Sequence, residues 1–154
     1  MNKEETMSTH NAIRGFFGEY RFLSNFYPAQ VSMDGFVFPT VENAYQAAKL
    51  PTNLRDTATM HLFAKLSPGE AKREGRRWPL RNDWETVKID IMRDLLAKKF
   101  EHNNLRSLLV ATKGRDLVEE NSWGDSFWGT YKGQGKNNLG KLLMAERERI
   151  LSSE

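Results

Sequence analysis

Phe38-Pro39-Thr40-Val41-Glu42-Asn43-Ala44-Tyr45-Gln46-Ala47-Ala48-Lys49 is the stretch whose reading decides the fold. Pro39 stands just ahead of a helical pattern, and the Thr40 hydroxyl is placed to accept a backbone N–H at the helix start. At 3.6 residues per turn, Glu42, Tyr45, Gln46 and Lys49 fall on one face, at i, i+3, i+4 and i+7. Val41, Ala44 and Ala48 make the neighbouring apolar stripe. A carboxylate, a phenol, an amide and an amine thus line up over two turns of a rigid element. On spacing alone two readings are open: a solvated polar face, as most such faces are, or a functional site.

The flanking chain gives this helix its setting. Upstream, Val31, Met33, Phe36 and Phe38 flank Asp34-Gly35, which predicts a hairpin with a two-residue turn. Residues 15–17 predict a first strand. Residues 19–28, aromatic-rich but without period, read as an ordered loop. Downstream, residues 53–65 predict a helix. Ser67-Pro68-Gly69-Glu70 is a capping box with proline at the first helical position, opening a helix that ends near Gly75. Asn82-Asp83 cap the longest predicted helix, residues 84–102, whose stripe is Trp84, Val87, Ile91, Met92, Leu95, Leu96 and Phe100. A helix over 105–113 stops at Gly114, strands are expected over 116–119 and 126–131, and the last helix begins near Asn137-Asn138. Helices dominate, do not alternate regularly with strands, and show no repeat. The expected fold is α+β, mostly helical with a small set of short strands. Residues 13–154 are expected to form one domain, and residues 1–12 a disordered tail.

Composition narrows the function classes. The 154 residues are 39% hydrophobic and 28% charged, the balance of an ordinary soluble globular domain. No apolar run approaches the ~18 residues of a membrane span. The N-terminus lacks the apolar core of a signal peptide, so a cytoplasmic location and no membrane partner are expected. Cysteine is absent, which removes disulfides, thiolate nucleophiles and cysteine metal sites. His10, His61 and His102 are too scattered to form a ligand set, so no metal is expected. The net charge of +3 favours an anionic substrate and is a weak nucleic-acid signal. Lys72, Arg73, Arg76, Arg77 and Arg81 cluster against Glu74 alone. They form either a phosphate contact or a solvated helix face.

Three segments are able to carry chemistry. Glu42 suits a general base or a stabiliser of developing positive charge. Lys49 suits an amine nucleophile if burial lowers its pKa, or a phosphate contact, or a partner that neutralises Glu42. In Asn121-Ser122-Trp123-Gly124-Asp125-Ser126-Phe127-Trp128-Gly129, two tryptophans bracket an aspartate. They are stacking platforms for a base or sugar, or core anchors. The segment is not a Gly-x-Ser-x-Gly elbow, because its second glycine comes one place late, so a serine hydrolase is rejected. Residues 129–140 form a glycine- and lysine-rich loop entering a helix N-terminus. That combination suits phosphate, or is simply a turn. It has neither the Walker spacing nor the third glycine of a dinucleotide fingerprint.

The densest landmarks are Ser24-Asn25-Phe26, the Phe38-to-Lys49 stretch, Gly75-Arg76, Leu80-Arg81-Asn82-Asp83-Trp84, Lys88, Met92 and Lys99-Phe100. They continue with Leu117-Val118-Glu119, Asp125, Trp128-Gly129, Gly133-Gln134-Gly135-Lys136-Asn137-Asn138-Leu139-Gly140 and Leu143-Met144. In their order and spacing they resemble the NADAR (YbiA-like) family over nearly the whole chain. The resemblance implies an α+β enzyme, without cofactor, that cleaves the C1′–N bond of ribosides. Its substrates would be riboflavin-pathway ribosylaminopyrimidine 5′-phosphates, releasing ribose 5-phosphate, or ADP-ribosylated guanine, including that in nucleic acid. Breaking such a bond builds oxocarbenium character at C1′. The candidate catalytic groups are then Glu42, with Asp125 as second carboxylate, and Lys49 as nucleophile in an imine route. Trp84 and Trp128 are candidates for stacking, and Arg76, Arg81, Lys136 and Asn137 for phosphate and ribose. Ser24, Asn25, Tyr45, Gln46 and Gly135 are candidates to complete the substrate pocket. Two other classes compete. One is a non-catalytic NAD- or ADP-ribose-binding module, which would use the same loop and tryptophans without needing Glu42. The other is a nucleic-acid-binding protein built on the basic cluster, whose affinity would fall steeply with salt.

Overall fold

The hairpin and the helix expected around Pro39 are both present in the computed structural model, which describes residues 11–153. Residues 1–10 of the expected tail lie outside the described residues. Among the described residues the elements run β1 (Ile13–Arg14), a 3-10 helix (Gly18–Leu23), β2 (Val31–Met33), β3 (Phe36–Phe38), α1 (Val41–Ala48) and a second 3-10 helix (Thr52–Leu54). They continue with α2 (Thr57–Lys65), α3 (Pro68–Gly75), α4 (Trp84–Lys99), α5 (Asn103–Val110), β4 (Leu117–Val118), β5 (Glu120–Asn121), β6 (Thr130–Tyr131) and α6 (Asn138–Ser152). Among the described residues the strands pair only in twos: β2 with β3 antiparallel, β1 with β4 and β5 with β6 parallel. The fold is α+β and mostly helical. The chain makes two compact units, one continuous from Asn25 to His102, the other built from the chain up to Ser24 and from Asn103 onward.

The continuous unit is organised around α1. Asp34 and Gly35 both have positive φ, 53° and 82°, as a two-residue hairpin turn that follows the strand twist requires. Val31 sits opposite Phe38. Two residues later the extended Thr40 starts α1, its hydroxyl accepting the Asn43 N–H at 3.1 Å. Every residue of α1 is buried, because α2, α3, α4 and the hairpin all pack on it. The polar face is therefore not a solvated surface. Asn43, fully buried, donates from its amide to the carbonyls of Phe63 and Leu66, both at 2.8 Å. It thereby satisfies the open C-terminal end of α2. The apolar core comprises Phe38, Leu50, Met60, Phe63, Met92, Leu95, Leu96 and Phe100. Lys99 is buried with them at 0% exposure, near the rings of Phe100 (5.3 Å) and Tyr27 (6.0 Å). Burial pulls its ammonium from 10.5 down to about 7.

Three expectations in this unit are corrected. The helix expected over 53–65 breaks at Arg55-Asp56, because the Asp56 carboxylate accepts the Thr59 N–H and starts a new helix at Thr57. Asp83 precedes α4 as expected but makes no side-chain cap, since its carboxylate is taken by the Arg81 guanidinium at 2.6 and 3.1 Å. The helix ends at Lys99, not 102.

In the other unit β1 lies two residues earlier than expected. The Gly15 N–H completes the pairing by donating to Val118 O at 2.9 Å. Its φ of 81° then turns the chain out of the extended region. The expected loop over 19–28 holds the first 3-10 helix. The expected helix over 105–113 starts at Asn103 and ends at Val110, turns continuing to Gly114. The strand expected over 126–131 survives only at its end. The carbonyls of Ser126, Phe127, Trp128 and Gly129 instead accept from the N–H groups of Lys136, Asn138, Leu139 and Asn137. The N-terminus of α6 is thus satisfied by loop carbonyls. α6 buries Leu139, Leu142, Leu143 and Ile150, packing on α5 and β4.

Candidate functional site

The candidate site in the continuous unit is the α1 face read from the sequence. Glu42 is 7% exposed. Its N–H donates to Asn25 O at 3.1 Å, and Gln46, one turn on, donates from Nε2 to Glu42 Oε1 at 2.7 Å. The carboxylate is thereby held in one orientation. Gln46 is fixed in turn by Gly75 of α3, where a Cβ would stand 2.0 Å from Gln46 Oε1. Only glycine lets the two helices approach at that point. Among the described residues two buried side-chain acceptors lack a donor, Asn25 Oδ1 and Gln46 Oε1. One belongs to the residue holding the Glu42 backbone, the other to the residue holding its carboxylate. Unsatisfied buried acceptors are uncommon in folded proteins.

Tyr45 and Trp84 are both 5% exposed and meet at 5.0 Å between ring centroids with a 54° tilt. The Lys49 Nζ lies 5.6 Å from the Tyr45 centroid. Burial is the main cause that holds the Lys49 ammonium below the usual lysine range. The Glu42 carboxylate pulls the other way, and the charges of Arg76, Lys72 and Lys88 add to the lowering. A half-buried amine with a depressed pKa beside a fixed carboxylate is a reactive pairing. Arg81 is otherwise committed. Its N–H donates to Lys49 O at 2.9 Å, its Nη1 to Ala48 O at 3.3 Å, and its remaining fork grips Asp83. It closes the C-terminus of α1. Arg76, next to Gly75, is exposed.

The other unit carries the remaining sequence candidates. Asp125 Oδ1 accepts from the N–H groups of Phe127 and Trp128 at 3.0 and 2.9 Å. Asn121 wraps the same turn. Its Oδ1 accepts the Asp125 N–H, and its Nδ2 donates to Asp125 O and Glu119 Oε2. Trp128 is half-buried and meets Phe127 edge to face at 4.9 Å. Trp123 is 62% exposed, so the core-anchor reading fails for it. Gly135 has φ of 146°, and a Cβ there would stand 2.3 Å from Gly129 O. Lys136 is exposed, its Nζ 5.7 Å from the Phe127 ring. Asn137 accepts from Glu119 N and donates to Leu117 O, both at 2.9 Å, so its side chain braces the strand. Ser24 is half-buried and closes the first 3-10 helix through its N–H to Arg21 O.

The structure therefore groups Asn25, Glu42, Tyr45, Gln46, Lys49, Arg76, Arg81 and Trp84 in one unit. Ser24, Asp125, Trp128, Gly135, Lys136 and Asn137 belong to the other. Sequence reading missed Asn43 in the first unit and Asn121 in the second, named Lys88 only as a family landmark, and left Lys72 in a basic cluster open between a phosphate contact and a solvated face. The signal for Lys88 was its place one helical turn after Trp84, and for Lys72 its place one turn before Arg76. Among the described residues no group of three or more His, Asp or Glu is placed to hold a metal ion. Among them, too, no helix is long and apolar enough to cross a membrane.

Comparison with known proteins gives the same outline. A family model described as the NADAR domain matches residues 14–151. The Escherichia coli protein named N-glycosidase YbiA is 41% identical over 136 residues, covering 86% of this chain and 82% of that protein. Its NMR structure matches with a TM-score of 0.79 at 38% identity, over 93% of this chain and 87% of that one. A protein of Nostoc punctiforme, also named an N-glycosidase, is 42% identical over 85% of this chain and 86% of its own length. A Vibrio vulnificus riboflavin biosynthesis protein is 34% identical over 84% of this chain, which spans 35% of that longer protein.

Proposed function

The chain belongs to the NADAR domain family and is an N-glycosidase, and from that premise we propose that it hydrolyses the C1′–N bond of a phosphorylated riboside of the ribosylaminopyrimidine type. The observation that carries the proposal is the Glu42–Gln46–Lys49 face: a buried, oriented carboxylate beside an amine whose proton affinity is lowered. As the bond to the base lengthens, positive charge grows on C1′ and the ring oxygen. A fixed carboxylate in a low-dielectric setting stabilises that charge without reorganising. Water then adds to C1′, its proton is lost, and the base leaves with its nitrogen protonated. Substrate choice is supported by the riboflavin biosynthesis protein among the relatives.

Lys49 supplies a second route to the same product, in which its free amine attacks C1′ of the opened ribose, the C1′–N bond to the base breaks as the base nitrogen takes a proton and leaves, and water hydrolyses the resulting Lys49 imine to release the sugar and restore the amine. The test is release of ribose 5-phosphate from ribosylaminopyrimidine 5′-phosphates by wild type, Glu42→Gln and Lys49→Ala, with ADP-ribosylated guanosine in parallel. Full activity in both variants refutes the assignment of the face. Turnover of the guanosine substrate alone moves the proposal to ADP-ribose. A borohydride-trapped adduct lost in Lys49→Ala selects the imine route, and no adduct under turnover selects direct attack by water.

A further inference from the structure

α3 meets α1 along Ala71 and Gly75, both buried, with Gly75 seated on the Gln46 side chain. Lys72 and Arg76, one turn apart, follow these two residues in sequence, so they flank that line of contact on one side. On α4, Lys88 follows Trp84 by one turn, on the stripe that carries the indole to Tyr45. The Lys88 side chain is only 15% exposed and is paired with the exposed carboxylate of Glu85. Three elements thus bring Lys49, Lys72, Arg76 and Lys88 toward one place.

We propose that Lys72, Arg76 and Lys88, grouped beside Lys49, form the wall that receives the phosphate of the riboside. The inference deepens the riboside reading above and rests on it. The charges of Lys72, Arg76 and Lys88 all act on Lys49, and Glu42 is the carboxylate that acts against them. Three cations around one half-buried amine repel one another, and an arriving dianion relieves that repulsion. A guanidinium fork and ammonium groups both donate charge-assisted hydrogen bonds to phosphate oxygens. Two of the phosphate candidates read from the sequence, Arg81 and Asn137, are less available. The Arg81 fork is filled by Asp83 and Ala48 O, and the Asn137 side chain is spent on Glu119 and Leu117.

The test is calorimetric titration of the full chain with ribose 5-phosphate, inorganic phosphate and ribose, at two salt concentrations. The wall predicts binding of ribose 5-phosphate, weaker binding of phosphate, and no measurable binding of ribose. It also predicts that Lys72→Ala and Lys88→Met each weaken ribose 5-phosphate by about tenfold or more, because each removes a charge-assisted contact. Lys88→Arg should retain most of the affinity, and the exposed Arg76→Ala serves if either lysine variant fails to fold. Equal binding of ribose and ribose 5-phosphate, or folded variants that bind like wild type, overturns the inference. The readout needs no turnover, so the two readings fail separately. Phosphate binding without riboside cleavage removes the proposed substrate and keeps the wall. Cleavage that is indifferent to the 5′-phosphate removes the wall and keeps the glycosidase.

Discussion

Lys99 gives the sharpest quantitative test of the core. Its ammonium is 0% exposed, and burial brings its pKa to about 7 from 10.5. Below pH 7 the folded and unfolded chains both carry this proton. Between pH 7 and 10.5 the unfolded chain holds more of it, so unfolding becomes harder as pH rises, by up to ~1.4 kcal/mol per pH unit. The stability is gained as pH passes upward through 7 and is complete above 10.5. Over the full interval it amounts to about 5 kcal/mol, and between pH 7 and 9 to about 2 kcal/mol. The assay is urea unfolding of wild type and Lys99→Met at pH 6, 7, 8 and 9. The variant lacks this titration and keeps every other, so the difference between the two curves isolates it. Wild type should gain on the variant by about 2 kcal/mol from pH 7 to pH 9. Parallel curves across that range would refute the reasoning, because they would show that the buried amine does not titrate below its unfolded value.

Four further outcomes follow from the site. Glu42→Gln should lower kcat by about 10²- to 10⁴-fold with little change in thermal melting, since its amide oxygen can still accept from Gln46; wild-type turnover would remove Glu42 from the chemistry. Gly75→Ala places a methyl group 2.0 Å from Gln46 Oε1. It should displace that side chain, cost about 1–3 kcal/mol in urea unfolding and reduce kcat, and an unaffected enzyme would show that Gln46 does not hold the carboxylate. Asn43→Ala strands the carbonyls of Phe63 and Leu66 and should cost about 3 kcal/mol, read from the urea midpoint at unchanged slope. Any borohydride-trapped adduct at Lys49 should rise with a pH midpoint below 10.5, because burial and its cationic neighbours favour the free amine. Lys72→Ala should move that midpoint upward.

Local chemistry made the hairpin and α1 legible. Asp34-Gly35 is a turn whose backbone requirement is visible in two letters, and Thr40 caps through its own side chain. The burial of α1 was not legible. Spacing shows that Glu42 and Gln46 share a side, but only the packing of α2, α3 and α4 shows that this side is dry. Competition between partners misled elsewhere. Asp83 reads as a cap, yet the Arg81 fork two residues earlier holds the carboxylate that would have capped the helix. Residues 126–129 read as strand, yet their carbonyls serve the start of α6. Charged residues hid best. Lys72 left a phosphate contact and a solvated face both open, and nothing in the spacing of Lys88 or Lys99 shows that the first is mostly covered and the second buried in the core.

The parallel pairing of Ile13 with Leu117 has a consequence for the birth of the protein. A ribosome makes the chain from its N-terminus, so β1 emerges long before β4 exists to receive it. In the interval the whole segment from Asn25 to His102 is completed, and the hairpin, α2, α3 and α4 that pack on α1 all lie within it. That segment can settle while Ile13 still has no strand to pair with. The unit that holds Asp125 and Trp128 closes last, after a long wait typical of sequence-distant pairings. A pause in translation just past His102 would therefore leave Glu42 and Lys49 in place on a nascent chain whose other half is still unmade.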